Sequence, residues 1–166
     1  MRYSHSSEAP AARARHPWDR TRPGRVTVQP RAILTDIAVT AIMSRCVVSV
    51  RYTDTLDDAL RMFAAARLRH LAVTDRVGRA VGVLTDRVTA AAWAHNPMAF
   101  DRTTVGELLD ADQPLVPRDA TVAAAARVMR RCDTDAVVVV DDAQTPCGIL
   151  TVGDIIAVLA KPHALR

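Results

Sequence analysis

The strongest constraint on this chain is that it repeats itself. When the sequence is shifted by 66 positions, residues 39–88 align with residues 105–154 without a gap. The aligned pairs include Val39 with Val105, Ala59 with Ala125 and Gly82 with Gly148. A repeat of this kind is typical of a supersecondary unit that cannot bury its apolar face alone and packs against its copy. We therefore predict two similar halves related by pseudo-twofold symmetry, with two matching clefts between them.

The composition favours one compact domain with an aliphatic core. Hydrophobic residues make up 49% of the 166 residues but aromatic residues only 4%, so Ala, Val and Leu must fill the interior. No apolar run approaches the roughly 20 residues of a membrane span. The N-terminal residues also lack the apolar stretch of a secretory signal peptide. We therefore expect a cytoplasmic protein that does not associate with membranes.

The three cysteines, Cys46, Cys132 and Cys147, do not form a recognisable pattern. None of them has zinc-site spacing, and an odd number argues against a disulfide framework. We interpret them as packing residues in a reducing compartment rather than as a redox or metal site.

The positive charge is concentrated at the N-terminus. Residues 1–31 contain seven Arg and two acidic residues, a net charge of +5, whereas the whole chain has +4. This segment is rich in Pro and Ser and has no apolar period, so we predict a disordered basic tail. A basic arm can contact nucleic acid or an anionic membrane. Because no repeated basic motif with interleaved aromatic residues is present, we favour a solvated tail and do not expect nucleic-acid binding.

The apolar periodicity predicts one order of elements twice. In the first half we expect a helical turn capped by Thr35, then a strand, a helix, two strands and a helix, over residues 36–43, 47–50, 56–66, 70–74, 80–85 and 86–95. In the second half the corresponding ranges are 105–109, 115–116, 121–131, 136–140, 147–151 and 153–159. The predicted fold class is α/β, with two β-α-β-β-α repeats. The predicted divisions are the tail, the first repeat, a linker, the second repeat and the C-terminal end, over residues 1–31, 32–96, 97–103, 104–160 and 161–166.

Four short motifs give each half its resemblance to a known domain. They are the segment Ala41-Ile42-Met43-Ser44, the helix start Asp54-Thr55-Leu56, a strand that ends in Asp75 or Asp141, and the pattern Gly-h-h-Thr (h, hydrophobic) at 82–85 and 148–151. In this order, and twice, they resemble the cystathionine-β-synthase (CBS) domain over residues 39–160. The resemblance implies a stand-alone bacterial CBS pair, or Bateman module. Such a protein is a disc-forming, homodimeric regulatory module whose inter-repeat clefts often hold adenosine nucleotides.

Thr151 and Asp154 are the candidate ribose contacts of the second repeat. A ribose offers two neighbouring hydroxyl donors, which a carboxylate can accept, and a nearby hydroxyl can add a further hydrogen bond. In the family, the acid of Gly-h-h-Thr-x-x-Asp holds the ribose, and the resemblance transfers that role to Asp154. The alternative is that Asp154 only caps the last helix, where an acid is favoured in any case.

The first repeat departs from this pattern. Thr85 corresponds to Thr151, but Val88 stands where the ribose acid is expected and cannot accept a hydrogen bond. Asp86 is two residues early, and we expect it to point elsewhere on the turn. We therefore expect that one of the two clefts does not hold a nucleotide in the manner of the family.

Arg69 and His70 are the candidate phosphate contacts. In nucleotide-binding members of the family, a basic residue often stands at the start of the second strand, and these two residues occupy that place in the first repeat. Asp135 occupies it in the second repeat and would repel a phosphate. Because the clefts lie between the repeats, Arg69 and His70 could face a ligand whose ribose is held by Asp154. The alternatives are a solvated Arg69 and a His70 that packs at the strand edge.

The sequence does not favour an enzyme. It contains no hydrolase or metalloprotease motif, and its six glycines are scattered rather than gathered in a phosphate-binding loop. We expect a regulatory or sensory module that requires no cofactor, binds AMP, ADP, ATP or a related adenosine ligand, and signals to an unknown protein partner in trans. The alternative is a ligand-free interaction protein of the stress or dormancy type that has lost the nucleotide site, as Val88 and Asp135 would indicate.

Overall fold

The computed structural model describes Leu34 and residues 37–160. The predicted basic tail, the predicted cap Thr35 and the C-terminal residues 161–166 lie outside the described residues.

The predicted order of elements is confirmed in both halves. The first half contains strand β1, helix α1, strands β2 and β3, and helix α2, which span Ser49–Arg51, Leu56–Ala66, His70–Thr74, Ala80–Thr85 and Asp86–His95. The second half contains β4, α3, β5, β6 and α4, which span Leu115–Pro117, Val122–Arg131, Ala136–Val140, Pro146–Thr151 and Val152–Ala160. Short 3₁₀ turns occupy Val39–Ala41, Pro97–Ala99 and Val105–Leu108.

Each half forms a three-stranded sheet in which the second strand is central. β1 pairs with β2 in parallel and β2 pairs with β3 antiparallel, and β4, β5 and β6 repeat this arrangement. The registers are equivalent, since His70 lies opposite Thr85 and Ala136 lies opposite Thr151. The central strands are almost entirely buried, as expected for apolar runs covered on both faces. The α/β fold with two β-α-β-β-α repeats is therefore confirmed.

Helix α1 shows why the same local structure forms twice. Thr55 caps the helix by accepting a hydrogen bond from the Asp58 amide, and the Asp58 carboxylate accepts one from the Thr55 amide, which completes a capping box. Leu56, Ala59 and Phe63 follow at helical spacing and are buried against the first sheet. In α3 the equivalent cap is Thr121, and the equivalent buried residues are Val122, Ala125 and Met129.

The segments that precede each repeat, residues 37–44 and 103–110, are called here the lead segments, and they cross over. The Val39 amide donates to the Ala120 carbonyl at 2.9 Å, so the first lead segment packs on the second repeat. The Val105 amide donates to the Asp54 carbonyl at 2.9 Å, so the second lead segment packs on the first repeat. Each repeat therefore completes its core with chain that precedes the other repeat.

This crossing explains why the lead segments contain so little helix. The helical turns predicted over 36–43 and 105–109 are present in the described chain as short 3₁₀ turns, Val39–Ala41 and Val105–Leu108. The backbone amides at Val105 and Gly106 donate to the other repeat instead of continuing a helix, and Ser44 exchanges two backbone hydrogen bonds with Ile149. Hydrogen bonding across the molecule has replaced hydrogen bonding along the chain.

The two sheets meet in a shared apolar layer. Ala72 and Ala80 of the first sheet pack with Val138 and Val140 of the second sheet, and all four are buried. The Ala80 amide also donates to the Gln144 carbonyl at 2.8 Å. The two repeats therefore share a buried layer that lies between their own apolar clusters.

The glycine of each Gly-h-h-Thr motif has a packing role. Gly82 lies directly beneath the side chains of Leu109 and Gln113, and Gly148 lies directly beneath Met43. A Cβ atom at either position would collide with these side chains. Glycine therefore lets a crossed lead segment lie flat against the third strand of the other repeat.

Candidate functional site

A cleft of about 440 Å³ lies between the two repeats. One wall is formed by the end of β3 and the start of α2, with Arg69 just before β2. The other wall is formed by residues 108–114 of the second repeat and by residues 129–135, from the end of α3 to the start of β5. The cleft is therefore built by chain from both repeats, and it lies at the Thr85 and Val88 end, where the sequence analysis did not expect a nucleotide to be held in the manner of the family.

Two of the predicted site residues, Thr85 and Arg69, come together in this cleft. Thr85 caps α2, because its Oγ1 accepts a hydrogen bond from the Val88 amide at 3.1 Å. Its O–H is not donated to any described residue, so it remains a donor at the cleft wall. Val88 also lines the cleft and is 40% exposed, which shows that it is not a core residue.

Arg69 is paired within the cleft. Its Nε lies 3.5 Å from Asp86 Oδ2, and both side chains are well exposed. The expectation that Asp86 points elsewhere on the turn is wrong, because Asp86 lines the cleft beside Arg69. The reason is local: the Asp86 amide donates to the Arg69 carbonyl at 3.0 Å, which holds the two residues side by side.

His70 does not line the cleft itself but bonds to a residue that does. Its Nε2 lies 2.8 Å from Asp135 Oδ1, and its side chain is only 12% exposed. Partial burial raises the pKa of the Asp135 carboxyl, but the hydrogen bond from His70 and the positive charges of His70 and Arg69 outweigh it, so this pKa lies below its ordinary value. Asp135 is therefore held as a carboxylate by a contact that joins the two repeats.

Thr151 and Asp154 form a helix cap. The Thr151 amide and Oγ1 donate to Asp154 Oδ2 at 2.8 and 2.7 Å, and the Asp154 amide donates back to Thr151 Oγ1 at 3.3 Å. This is the same capping box as at Thr55 and Asp58. Neither Thr151 nor Asp154 is among the described residues that line the 440 Å³ cleft. The structure thus supplies the capping role that the sequence left open, and a ribose contact at Asp154 stays a prediction.

The interior of the cleft is partly apolar. Val83, Leu108, Leu109 and Met129 contribute aliphatic surface, which suits the face of a flat ring. Thr134 also lines the cleft, and its Oγ1 is buried without a hydrogen-bond partner among the described residues. A buried hydroxyl without a partner lowers the stability of the fold.

The wall formed by residues 108–114 was not predicted from the sequence. This stretch contacts the first repeat because the lead segment 103–110 crosses over. No local sequence pattern predicts that crossing. The 66-residue offset carries a partial signal, since it places residues 108–114 over residues 42–48, just before β1. It does not show which repeat this stretch would contact.

The part of the chain that the structure describes contains neither a candidate metal site nor a candidate membrane-spanning helix. No three His, Cys, Asp or Glu side chains come together there in a way that could hold a metal ion. None of the described helices is both long enough and apolar enough to cross a membrane.

The comparison with family models agrees with this architecture. The model of the CBS domain matches residues 39–87 and 105–161, which is more than half of the chain. The chain belongs to the CBS-domain family. It is a tandem CBS pair, and its two matched segments coincide with the two repeats. A search of the curated proteins finds no match to this sequence.

Solved CBS structures have the same fold. A conserved CBS-domain protein of unknown function from Thermoplasma acidophilum, TA0289, is 25% identical, with a TM-score of 0.66 over 75% of this chain and 70% of that chain. The CBS-domain pair of protein MJ0100, solved with 5′-methylthioadenosine and S-adenosyl-L-methionine, is 25% identical, with a TM-score of 0.64 over 74% of this chain and 98% of that chain.

Proposed function

We propose that this CBS pair is a regulatory module that binds an adenosine-type ligand in the cleft beside Thr85 and passes its state to a protein partner. The observation that carries the proposal is the 440 Å³ cleft, which lies between the repeats and combines aliphatic walls with Thr85 and Arg69. The similarity to the MJ0100 pair, which was solved with two adenosine derivatives, supports the ligand class. We propose no catalytic activity. A cytoplasmic location stays a prediction from the sequence.

Each part of the ligand would meet suitable chemistry in the cleft. The adenine ring would lie on the aliphatic side chains of Val83 and Leu109. The Thr85 hydroxyl would donate to a ribose oxygen, and Asp86 Oδ1, which has no partner among the described residues, would accept from a ribose hydroxyl. Asp86 would then replace the ribose acid that Val88 lacks.

The cleft can be tested by removing the Thr85 hydroxyl. In Thr85→Val we expect adenosine to bind about tenfold more weakly, the effect of losing one or two hydrogen bonds. Thr121→Val is the matched control, because Thr121 caps α3 in the same way, with its Oγ1 accepting from the Ala124 amide, but does not line the cleft. Calorimetry on both variants decides the matter, together with mass spectrometry of small molecules released when fresh wild-type protein is denatured. Equal binding by the two variants would contradict the proposed site.

A second candidate site is the surface at Thr151 and Asp154, called here the Asp154 rim, which lies outside the 440 Å³ cleft. Asp154 uses only Oδ2 in its helix cap, and its Oδ1 has no hydrogen-bond partner among the described residues. That oxygen is free to accept from a ribose. His70, the phosphate contact predicted for this rim, is engaged by Asp135 instead, so we place the ligand in the cleft beside Thr85.

The proposed module acts as a homodimer. Val152, Ile156 and Leu159 lie on one face of α4 and remain 39%, 57% and 43% exposed. Trp93 is the equivalent of Leu159 in the first repeat and is also 55% exposed. Val152, Ile156 and Leu159 are called here the α4 stripe. An exposed apolar face of this kind favours association, so a second copy of the chain would cover the α4 stripe and Trp93.

Sedimentation experiments test the dimer. Ile156→Asp should shift the protein towards monomer, whereas Leu60→Asp should not. Leu60 is the matched control because it is 46% exposed on α1, outside the stripe. A wild-type protein that is monomeric at all concentrations would refute the dimer without affecting the ligand site.

The ligand-free alternative also has an observation in its favour. Val88 lies in the cleft with no polar group to offer, and Arg69 is already paired with Asp86. Wild-type protein that releases no adenosine derivative on denaturation, and binds none at millimolar concentration, would favour this alternative.

A further inference from the structure

The charges around the cleft are unfavourable for a phosphate. Five carboxylates line it, from both walls: Asp86, Asp110, Asp112, Asp133 and Asp135. Among the described residues, three guanidinium groups oppose them: Arg69, Arg87 and Arg130. The charged lining in this part of the chain therefore carries a net negative charge. An anionic ligand would enter against that field, whereas a neutral or cationic ligand would not.

The guanidinium group best placed for a phosphate is already engaged. Arg69 stands where the family resemblance places a phosphate contact, but its Nε lies 3.5 Å from Asp86 Oδ2. A phosphate that pairs with the Nη groups of Arg69 would lie beside this carboxylate, whose negative charge offsets that of the guanidinium. In addition, Asp135 occupies the position in the second repeat that Arg69 occupies in the first, so the cleft presents an acid where a second cation would be needed.

Asp135 cannot easily leave or lose its charge. His70 Nε2 holds its Oδ1 at 2.8 Å, and the His70 side chain is largely buried. A carboxylate can only accept hydrogen bonds, so His70 is the donor and stabilises the ionised form. Asp135 thus stays ionised and presents a carboxylate to the cleft wall.

We propose that this cleft selects adenosine derivatives that carry no phosphate, either neutral or cationic, and that Asp135 is the residue that excludes phosphate. This inference rests on the proposed function, since it specifies the ligand class of the same cleft. It assigns Asp135 and its partner His70 a role in ligand selection in addition to their contact between the repeats.

The first experiment compares five probes by calorimetry on the full chain, in the absence of divalent cations. The probes are adenosine, 5′-methylthioadenosine, the sulfonium cation S-adenosylmethionine, AMP and ATP. We expect the first three to bind at least about tenfold more tightly than ATP, with AMP between them, because like charges at close range in a partly buried site cost at least that much. The difference should shrink at high salt, which screens the carboxylates.

The outcomes separate the two proposals. If AMP or ATP binds as tightly as adenosine, the selectivity inference is overturned while the proposed function stands. If none of the five probes binds, the proposed function itself fails, and the selectivity fails with it.

The second experiment removes the charge of Asp135. Asp135→Asn keeps the size of the side chain and an oxygen that can face His70, so we expect ATP to bind about three- to tenfold more tightly and adenosine to be unchanged. Asp101→Asn is the control, because Asp101 is an exposed carboxylate outside the cleft. A variant in which both ligands change equally would show that Asp135 acts on the fold and not on selectivity.

A second variant covers the case in which Asp135→Asn disturbs the contact between the repeats. Asp133 lines the same wall with φ of 48°, a left-handed conformation that Asn adopts readily. Asp133→Asn should therefore fold normally. Like Asp135→Asn, it should reduce the difference in affinity between adenosine and ATP. An unchanged gap in both variants would overturn the proposal that the carboxylates exclude phosphate.

Discussion

The capping box at Thr151 and Asp154 gives a prediction whose size follows from the structure. In Asp154→Ala, two hydrogen bonds to one carboxylate oxygen are lost at the first turn of α4, together with the interaction of the acid with the helix N-terminus. Loss of such a cap costs about 1 kcal/mol. For a chain of this size we therefore expect the melting temperature to fall by about 2–4 °C.

The chain supplies its own control for this substitution. Asp58 forms the same capping box with Thr55 at the start of α1, far from any Gly-h-h-Thr motif. Asp58→Ala should also lower the melting temperature. Since neither Asp58 nor Asp154 lines the cleft beside Thr85, adenosine binding should be the same in both variants as in wild type.

Thermal unfolding and calorimetry on Asp154→Ala and Asp58→Ala decide whether Asp154 only caps α4 or also contacts a ribose. A selective loss of adenosine binding in Asp154→Ala, about tenfold or more, would place the ligand at the Asp154 rim and refute its placement beside Thr85. No change in melting temperature in Asp154→Ala would refute the capping argument.

Three further predictions concern the cleft, the loss of stability at low pH and the N-terminal tail. Val88→Asp should raise the affinity for adenosine about tenfold by adding a ribose acceptor beside Thr85, whereas Val88→Leu should not; equal affinities in calorimetry would show that this rim does not hold the ribose. The pKa of the Asp135 carboxyl is lowered by folding, so its contribution to stability is present above its unfolded value of about 3.8 and is lost as pH falls through the folded value. Below pH 5 the melting temperature should therefore fall less steeply with falling pH in Asp135→Asn than in wild type. Identical slopes for the two proteins would contradict this. Deleting residues 1–30 should leave the melting temperature unchanged, and a drop of several degrees would show that the tail docks on the module.

The fold could be predicted because its signals are local and occur twice. The spacing of Leu56, Ala59 and Phe63 defines α1, and the same spacing 66 residues later defines α3. The bounds of β2, β3, α2 and β5 follow directly from apolar runs and capping residues. What the local pattern could not show is the crossing of the lead segments, because those hydrogen bonds join residues such as Val39 and Ala120.

The site was harder to predict because one motif serves two purposes. Thr-x-x-Asp is the capping pattern at 55–58 and also the pattern of the ribose site in the family, and at 151–154 the structure shows the cap. Asp86 was misjudged because its position depends on Arg69, which lies on the neighbouring strand end rather than nearby in sequence. His70 and Asp135 meet 65 residues apart, across the two repeats, and only the three-dimensional structure joins them.

Helix α2 connects the proposed ligand to the proposed dimer surface. It begins at the cleft wall with Asp86 and carries Trp93 seven residues later, about 10 Å along the helix at 1.5 Å per residue. A ligand that bonds to Thr85, the cap of this helix, should therefore shift the helix that carries Trp93.

The chain has two Trp residues, so Trp18→Phe leaves Trp93 as the only reporter. We expect adenosine to change the fluorescence of this variant with the same saturation curve that calorimetry gives. When Thr85→Val is added, the same change should require about tenfold more adenosine. Binding by calorimetry without any change in Trp93 emission would mean that α2 does not transmit the state of the cleft, and that a signal to a partner must leave through the residues 108–114 wall instead.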